Sequence, residues 1–373
     1  EKVKAKMKEL VVEKENLKHN LKIINEIISK DKKKAKLIAV VKGNGYGLDL
    51  VKYTQFLIDN GVDFFAVATV EEAVALRNAG ITQNILMMSS TAVKEDIEIL
   101  IKNNIILTVG SKEAGEAVEE IAQKLQTKAR AHLKIDTGFG RYGFIYSNKE
   151  EMVQAIKAWK NIKIEGTFTH FSNAYYDDKY TQIQFQRFMD CIEVLKMNNI
   201  ETGILHVCNT SAFIKFPQMH LNAVRIGSAF TGRISFKNNM GLRKIGYLKS
   251  NVSEIKELPE KFNIGYSNTY TTKKKTKVAI IPCGYMDGVN IETGRDMFRK
   301  VDKLRYIVRD IKDAFKKQQL YVNINGQKCP ILGRIGTYHV TADITGKNIN
   351  INDEAIFNVS LKHVDSGLRR EWK

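Results

Sequence analysis

The stretch that decides the fold is Leu37-Ile38-Ala39-Val40-Val41-Lys42-Gly43-Asn44-Gly45-Tyr46-Gly47, an apolar run that ends in a lysine and continues into glycines and a tyrosine. A run rich in valine and isoleucine and closed by glycine is typical of a buried strand in a parallel sheet. Removing an ammonium group from water is costly, so a lysine at such a strand end either reaches solvent or has a chemical task. The stretch therefore predicts a parallel strand with Lys42 at its end.

Apolar runs of similar length recur as far as residue 226, and amphipathic segments with helical periodicity lie between most of them. The predicted strands are Leu37–Lys42, Phe64–Val70, Ile85–Met88, Ile105–Val109, Ala131–Ile135, Ile164–Thr169, Ile204–Cys208 and Ala223–Ile226. The predicted helices are Glu15–Ser29, Val70–Ala79, Lys94–Lys102, Glu113–Leu125, Glu150–Trp159 and Gln182–Met197. Such alternation implies parallel pairing with right-handed crossovers. Eight units predict an α/β protein with a closed (β/α)₈ barrel, a TIM barrel, over residues 1–245, and a doubly wound open sheet is the alternative.

The pattern changes after Gly232, where short strand-like runs separated by turn signals replace the alternation. The predicted strands here are Tyr247–Val252, Lys277–Ile281, Gln319–Ile324, Ile331–Ile335, His339–Asp343 and Glu354–Val359. Residues 246–373 are therefore predicted to form a second, mostly β domain with a helical insertion near residues 296–318. Residues 1–14 contain a short strand and either begin the barrel domain or join the β domain.

The chain is basic, with 59 lysines and arginines against 41 acidic residues and a formal charge of +18. Its lysines lie in scattered short runs without aromatic interleaving or a nucleic-acid motif, so no nucleic-acid partner is predicted. No apolar stretch is long enough to span a bilayer, and no signal-peptide segment is evident at the start. The four cysteines have no CxxC spacing, which argues against a metal site and a disulfide framework. A cytoplasmic protein without a membrane partner is expected.

Polar side chains follow the predicted strands at the ends where barrel enzymes carry their active sites. Lys42 ends the first strand, His170 follows the sixth, Asn209 follows the seventh and Arg225 lies at the end of the eighth. The fifth strand runs into Lys134-Ile135-Asp136-Thr137-Gly138-Phe139-Gly140-Arg141. One such residue alone is more simply explained as a structural hydrogen bond or a surface ion pair, whereas the whole set is expected to meet on one rim.

The loops after the last two barrel strands are rich in small or hydroxylated residues, namely Thr210, Ser211, Gly227 and Ser228. Such residues let backbone N–H groups approach an anion, and these loops commonly bind phosphate in barrels. A phosphate site near a strand-end lysine indicates pyridoxal phosphate (PLP) held covalently by Lys42. This cofactor would stabilise the negative charge that forms when an amino acid loses its α-proton.

The chain resembles the alanine racemases, which are fold-type III PLP enzymes, over essentially its full length. The resemblance is carried in order by Ala39–Gly47, Lys134–Arg141, Thr169-His170-Phe171, Asn209-Thr210-Ser211, Val224-Arg225-Ile226-Gly227, Ile264–Tyr270, Pro282–Gly288 and Leu332-Gly333-Arg334-Ile335. A series of ordered motifs is far more specific than one glycine-rich loop.

The resemblance implies an isomerase that interconverts L- and D-alanine with two opposed acid/base groups. Lys42 would be one group and Tyr266 of the partner subunit the other, while the nearby Tyr270 is disfavoured by its place in the motif. Arg225 would face the pyridine nitrogen of the cofactor, and His170 would connect Arg225 to Tyr266. Because an arginine keeps its proton, the ring nitrogen would stay unprotonated and the cofactor would be a weaker electron acceptor, which suits simple proton exchange.

The resemblance further implies a homodimer with shared active sites, because Tyr266 must come from the other subunit. Arg141 would bond the phenolic oxygen of the cofactor and hold the substrate carboxylate, and Lys134 would occupy a position that is often carbamylated in the family. The implied cofactor-binding residues are Lys42, Tyr46, Asn209, Thr210, Arg225, Gly227, Ser228 and Tyr285.

The chain departs from the family pattern at two places. Family members usually have Cys-Met-Asp after Gly-Arg-Ile, whereas this chain has Gly336-Thr337-Tyr338. Thr337 would keep the backbone N–H that binds the substrate carboxylate, but Tyr338 replaces the acid. The C-terminal segment from His363 to Arg370 lacks the tyrosine that narrows substrate entry in the family.

These departures keep alternatives to alanine open. Serine racemisation or a broad-specificity racemase would retain the fold, the cofactor and the mechanism. A non-catalytic PLP-binding regulatory protein is disfavoured because Lys42, Tyr266, His170 and Arg225 are all present. PLP decarboxylases of the same barrel class would lack the opposed tyrosine and carry an acid at the ring nitrogen. The leading hypothesis is an alanine racemase that supplies D-alanine for the cell wall.

Overall fold

The computed structural model describes residues 8–30, 34–234, 240–291, 294–295, 298–315 and 319–373. The chain divides into two compact units, of which one comprises Lys14–Ile245 and the other Gly246–Lys373 together with the N-terminal segment up to Glu13. That segment contains strand β1 (Glu9–Val12), which pairs with strands of the C-terminal unit. Of the described helices, none combines the length and apolar character needed to cross a bilayer.

The barrel unit alternates strands and helices as the sequence predicts. Its strands are β2 (Lys36–Val40), β3 (Phe64–Val67), β4 (Asn84–Ser90), β5 (Ile106–Val109), β6 (Ala129–Asp136), β7 (Phe144–Ile145), β8 (Ile162–Phe168), β9 (Ile204–His206) and β10 (Ala223–Ile226). Its helical segments are α1 (Lys14–Lys30), α2 (Lys42–Tyr46), α3 (Leu50–Asp59), α4 (Val70–Asn78), α5 (Lys94–Lys102), α6 (Lys112–Lys124), α7 (Lys149–Ala158), α8 (Asp178–Met197) and α9 (Thr210–Lys215), with a 3₁₀ turn at Pro217–Met219.

Within the described residues, eight strands pair in parallel in the order β10-β2-β3-β4-β5-β6-β8-β9, and the short β7 pairs with β6. The gap between β9 and β10 is bridged by single hydrogen bonds from Asn222 N to Leu205 O and from Arg225 N to Cys208 O, each 3.0 Å long. The predicted (β/α)₈ barrel is therefore confirmed as a nearly closed barrel. Strand β2 ends at Val40, so the prediction that it reaches Lys42 was too long by two residues.

The barrel interior is filled by alternate residues of neighbouring strands. Ile38 and Val40 of β2 pack with Phe64 and Ala66 of β3, and all four are buried. Leu86, Ile106 and Ala223 complete this cluster, and the partly buried Tyr46 and Met88 pack against it. Side chains two apart in a strand share a face, so these runs place one apolar set inside the barrel. The filled interior supports the rim above it.

The C-terminal unit is built mainly from β-strands. They are β11 (Tyr247–Asn251), β12 (Glu254–Leu258), β13 (Asn263–Ile264), β14 (Tyr270–Thr271), β15 (Thr276–Ile281), β16 (Tyr321–Ile324), β17 (Gln327–Leu332), β18 (Val340–Asp343), β19 (Glu354–Phe357) and β20 (Arg369–Trp372). Short 3₁₀ turns lie at Tyr266–Asn268, Tyr285–Asp287 and Leu361–His363. The described strands form a sheet in the order β12-β15-β18-β17-β16-β19-β11-β1-β20 and a separate β13-β14 hairpin. The predicted second, mostly β domain is confirmed.

The N-terminal strand is fixed in this sheet by charge as well as by its ladder. Lys249 of β11 lies 2.6 Å from a carboxylate oxygen of Glu9 in β1 and 3.4 Å from one of Glu371 in β20. Hydrogen bonding to Glu9 raises the pKa of Lys249, so the ammonium form persists. One cation thus joins three neighbouring strands.

The predicted insertion contains helix α10 (Lys300–Phe315); residues 296–297 and 316–318 lie outside the described part. Val301, Leu304, Ile311 and Phe315 on this helix are exposed. Asp310 forms a bidentate pair with Arg295, at 2.6 and 2.8 Å.

Candidate active site

A cavity of about 390 Å³ opens at the carboxyl ends of the barrel strands. Ten of the predicted site residues line it, namely Lys42, Tyr46, Lys134, Arg141, His170, Asn209, Thr210, Arg225, Gly227 and Ser228. They come from segments that are distant in sequence, and the barrel topology brings them together. The structure therefore places these residues around one space.

Lys42 begins a tight turn whose backbone is left-handed. Gly43, Asn44 and Gly45 have φ values of 67°, 52° and 64°, a region that glycine and asparagine enter more readily than other residues. The carboxylate of Glu72 holds this turn, because its Oε1 accepts N–H bonds from Gly43 at 2.6 Å and Asn44 at 3.2 Å. Thus the position of Lys42 depends on a carboxylate from α4.

The loop that carries Arg141 is organised by Asp136. Its Oδ1 accepts backbone N–H bonds from Gly138 at 2.8 Å and Phe139 at 2.7 Å. Its Oδ2 accepts them from Gly140 at 2.8 Å and Arg141 at 3.1 Å. The guanidinium of Arg141 lies over the Phe139 ring, 4.3 Å from its centroid. The Asp136 carboxylate holds the backbone of the loop, and the Phe139 ring holds the guanidinium of Arg141. Together they fix the position of this positive charge at the cavity.

Arg225 lies in β10, is 2% exposed and is surrounded by hydrogen-bond acceptors. Its Nη1 donates to the backbone oxygen and to Nδ1 of His206, each at 2.7 Å. Its Nη2 donates to the backbone oxygens of Thr169 at 2.7 Å and Val207 at 3.2 Å. Its Nε has no hydrogen-bond partner among the described residues. Burial lowers the pKa of Arg225 to about 10, so the side chain stays cationic at neutral pH and keeps one unused donor.

His170 lies next to Arg225 on the same rim. Its Nδ1 is 3.5 Å from Arg225 Nη2, and its ring packs edge-to-face on Phe139 with centroids 5.4 Å apart. Desolvation, followed by the positive charge of Arg225, lowers the pKa of His170 well below its ordinary value. A neutral imidazole is therefore expected here near neutral pH.

Lys134 is a buried residue of the cavity lining, and its Nζ lies 5.2 Å from the ring centroid of Tyr142 and 5.3 Å from that of Phe168. Burial, then the positive charges of Arg141 and Arg225, lowers the pKa of Lys134 to about 7. A substantial fraction of this amine is therefore neutral at physiological pH. Carbamylation of Lys134 stays a prediction.

Tyr46, Thr210 and Gly227 form a compact polar corner of the cavity. A Cβ at position 227 would overlap the hydroxyl of Tyr46, so the glycine is what lets the phenol approach. The backbone N–H of Gly227 points to Oγ1 of Thr210 at 3.4 Å. Burial, helped by the negative charge of Glu72, raises the pKa of Tyr46 to about 12, so its hydroxyl remains a donor. Asn209 accepts the N–H of Ala212 at 3.0 Å and thereby caps α9.

The remaining predicted site residues belong to the C-terminal unit. Tyr266 is 66% exposed in its 3₁₀ turn, and Tyr285 is 44% exposed. The hydroxyls of Thr337 and Tyr285 are hydrogen-bonded at 3.0 Å. Lys8 Nζ lies 4.9 Å from the ring centroid of Tyr338. The alternative Tyr270 is partly buried and packs against the Ile264–Val278–Leu332 cluster.

Comparison with known proteins agrees with this arrangement. The sequence model for "Alanine racemase, N-terminal domain" matches residues 12–234, and that for "Alanine racemase, C-terminal domain" matches residues 245–365. The chain belongs to the alanine racemase family. The resemblance inferred from the motifs is confirmed.

Relatives in the alanine racemase family match over most of their length. The "Alanine racemase" of Methanococcus maripaludis is 35% identical over 344 residues, covering 90% of this chain and 85% of the relative. The "Alanine racemase" of Clostridium perfringens strain SM101 is 33% identical over 346 residues, covering 91% and 82%. The solved alanine racemase of Clostridium difficile 630 superposes with a TM-score of 0.86 at 28% identity, covering 100% of this chain and 97% of the other.

The residues present fit PLP, the cofactor implied for the alanine racemase family. The unpaired, buried Nε of Arg225 is a donor suited to a ring nitrogen that lacks a proton. The corner of Tyr46, Thr210 and Gly227 offers hydroxyl and backbone donors for a phosphate, and the glycine lets the Tyr46 hydroxyl come close to the backbone there. No three or more His, Cys, Asp or Glu side chains in the described ranges are placed to hold a metal ion.

Sequence reasoning missed several residues that shape the cavity. Glu72 gave no signal, because an acid in the first turn of a helix usually faces solvent. His206 is a polar residue inside the apolar run Ile204–Cys208. This interruption of the run could have identified His206 as a candidate site residue. Met88, Ser89 and Tyr142 line the cavity but carry no pattern that separates them from ordinary strand-end residues.

Proposed function

We propose that the protein is a PLP-dependent racemase that interconverts L- and D-alanine at active sites shared within a homodimer. The observation that carries the proposal is Arg225, which lines the same cavity as Lys42 and whose buried Nε has no hydrogen-bond partner among the described residues. An arginine at the ring nitrogen distinguishes simple α-proton exchange from chemistry that needs a protonated ring. Membership in the alanine racemase family supports the substrate.

When bound, PLP supplies an electron-accepting ring that stabilises negative charge on the α-carbon of an amino acid. Lys42 would hold the cofactor covalently at its aldehyde carbon, and Tyr46, Thr210, Gly227 and Ser228 would bind its phosphate. Asn209 caps the helix that begins at Thr210, and Tyr285 of the C-terminal unit would add a further phosphate contact. The cavity of about 390 Å³ is of the size of small cofactor sites.

Two groups are needed to invert a carbon by proton exchange, one on each side. Lys42 Nζ would exchange the proton on one side of the α-carbon. Tyr266 Oη of the partner subunit would exchange it on the other, and its 66% exposure in the free chain supports such a role across an interface. His170 and the cationic Arg225 would stabilise the phenolate of Tyr266 through hydrogen bonding and charge.

Arg141 would hold the substrate carboxylate, because its loop is fixed by Asp136 and its side chain lines the cavity. Thr337 of the partner subunit would add a backbone N–H to the same carboxylate. A D-alanine product would serve cell-wall synthesis, as the family resemblance suggests.

Isotope exchange from each enantiomer tests the two-base assignment. The wild type in D₂O should exchange the α-proton of both L- and D-alanine, measured by ¹H NMR. Lys42→Ala should abolish exchange from both and remove the absorbance near ~420 nm expected of a lysine-bound cofactor. Tyr266→Phe should slow proton removal from one enantiomer by roughly 10²- to 10⁴-fold more than from the other.

Tyr270→Phe is the matched control and should leave both rates near those of the wild type. Equal rates from both enantiomers in Tyr266→Phe would remove Tyr266 from the mechanism.

Serine racemisation is the second candidate, and a pair of hydroxyls favours it. Thr337 and Tyr285 are hydrogen-bonded at 3.0 Å in the C-terminal unit, and the segment from His363 to Arg370 contains no tyrosine. A more polar and less obstructed entrance would accept a hydroxymethyl side chain. Comparing kcat/KM for L-alanine and L-serine decides between them, because a preference for alanine by orders of magnitude excludes this candidate.

A further inference from the structure

A chain of buried nitrogen atoms runs from Arg225 across the barrel interior to a residue that does not line the cavity. His206 Nδ1 lies 2.7 Å from Arg225 Nη1, and His206 Nε2 lies 2.8 Å from His132 Nδ1. His132 is in β6 and His206 ends β9, and they are 1% and 0% exposed. The Phe168 ring stacks on His206 at a centroid distance of 4.8 Å and helps to exclude solvent from the two histidines.

The direction of these hydrogen bonds follows from the arginine. A guanidinium has only donors, so Nδ1 of His206 must be the acceptor of its bond with Arg225. The proton of a neutral His206 is then on Nε2, which donates to Nδ1 of His132. A second proton on either ring would set two N–H groups against each other.

The surroundings support neutral rings. Burial lowers the pKa of His132 to about 3, and burial with the positive charge of Arg225 lowers the pKa of His206 well below its ordinary value. Strand β8 also makes room for the first ring, since a Cβ at Gly166 would lie 2.7 to 2.8 Å from the ring atoms of His132. The backbone thus accommodates this histidine at a specific point.

We propose that His132 is a positioning residue, which holds His206 in its Nε2–H form so that His206 stays an acceptor for Arg225. Without the acceptor on His132, the buried Nε2–H of His206 is left unpaired, so the free-energy difference that favours the Nε2–H tautomer over the Nδ1–H tautomer becomes smaller. In the Nδ1–H tautomer the proton would face Arg225 Nη1 and displace the guanidinium. His132 therefore acts on the orientation of Arg225 through the tautomer of His206.

The part of the inference that concerns the cofactor rests on the proposed function, in which Arg225 Nε would donate to the ring nitrogen of PLP. The tautomer of His206 does not depend on that function. The experiment therefore reads the tautomer and the cofactor affinity separately, so that one can fail without the other.

The test is ¹⁵N NMR of the histidine rings in the full-length protein, with His132→Phe removing the acceptor and His132→Asn returning an oxygen near the position of Nδ1. The wild type should show His206 protonated on Nε2, His132→Phe should raise the population of the Nδ1–H form, and His132→Asn should keep the proton on Nε2. PLP affinity, measured by absorbance titration, should fall about tenfold in His132→Phe and recover in His132→Asn.

A wild-type His206 protonated on Nδ1 overturns the proposal, as does an unchanged His206 spectrum in His132→Phe. Equal losses of affinity in the two variants would assign His132 a packing role only and also contradict it. If His132→Phe does not fold, the wild-type and His132→Asn spectra still decide the tautomer. If the spectra show the expected tautomers but neither the wild type nor the variants bind PLP, the proposed function is contradicted instead.

Discussion

The carboxylate of Glu72 accepts a 2.6 Å hydrogen bond from the backbone N–H of Gly43, the residue that follows Lys42. The same carboxylate also accepts the N–H groups of Asn44 at 3.2 Å and Ala68 at 3.1 Å. Two loops of the barrel rim therefore share one anion. Because the turn at Lys42 is left-handed, its geometry depends on this support more than a regular helix would.

Glu72→Gln should loosen the Lys42 turn. A glutamine has one acceptor oxygen, so its amide would face either Ala68 or Gly43 as a donor against a donor. We expect the free energy of unfolding to fall by about 1–3 kcal/mol and kcat to fall about tenfold. Urea unfolding and steady-state racemisation check this, with the adjacent, exposed Glu71→Gln as the control. Identical behaviour of the two variants would contradict the assigned role.

Asp136→Asn should displace Arg141. The carboxylate accepts four backbone N–H groups between Gly138 and Arg141, and an amide can accept only on one side. We expect KM for the amino acid to rise about tenfold, because the proposed carboxylate-binding side chain shifts. The exposed Asp63→Asn is the control. A normal KM in Asp136→Asn would show that the loop keeps its shape without the charge.

Gly227→Ala should close the proposed phosphate corner. The added Cβ would overlap the hydroxyl of Tyr46, so either the phenol or strand β10 must move. PLP affinity should fall at least tenfold, and the free energy of unfolding of the cofactor-free protein should fall by about 1–3 kcal/mol because the site is overpacked. Gly294→Ala is the control, because a Cβ there meets no atom within 4 Å. Unchanged PLP affinity would place the phosphate elsewhere.

Lys134 makes the stability of the cofactor-free protein depend on pH. Its folded-state pKa of about 7 lies below the ordinary value of 10.5, so the unfolded chain binds more protons between these values. The free energy of unfolding contributed by this group therefore rises as pH increases through that window. Lys134→Met removes this pH dependence. Its free energy of unfolding should therefore exceed that of the wild type most near pH 6 and least near pH 10.

Urea unfolding in buffer free of carbon dioxide measures this difference, and exposed Lys128→Met should show no such trend. A stability gain for Lys134→Met that is independent of pH would mean that Lys134 is solvated in the folded chain.

The barrel could be predicted because its strands are buried on both faces and read as continuous apolar runs. Ala223–Ile226 was predicted to the residue, and the other seven predicted barrel strands differ only at their ends, whereas the two-residue strand Phe144–Ile145 was not predicted. The C-terminal strand Glu254–Leu258 was missed, because only Ile255 and Leu258 are apolar and no strand pattern emerges from its charged residues. The strand Arg369–Trp372 was also missed, because Trp372 is its only apolar residue. Its partner β1 lies at the other end of the chain, so no local pattern shows the pairing.

The candidate site was predicted as a set of residue types at strand ends, and the barrel brings ten of them to one cavity. Sequence could not show the supports. Glu72, Asp136 and His206 act through hydrogen bonds to segments far away in the chain or to backbone groups, and such pairings leave no periodic trace. The same limit applies to Tyr266, whose role across a subunit interface remains a proposal.

Subunit complementation tests the shared active site most directly. Lys42→Ala and Tyr266→Phe homodimers should each be nearly inactive in racemisation. After unfolding and refolding as an equal mixture, half of the dimers should be mixed, and each mixed dimer should contain one intact pair of Lys42 and the partner subunit's Tyr266. We predict recovery of roughly a quarter of the wild-type rate. A refolded mixture that is as inactive as its two parents, while refolded wild type regains its rate, would contradict the account.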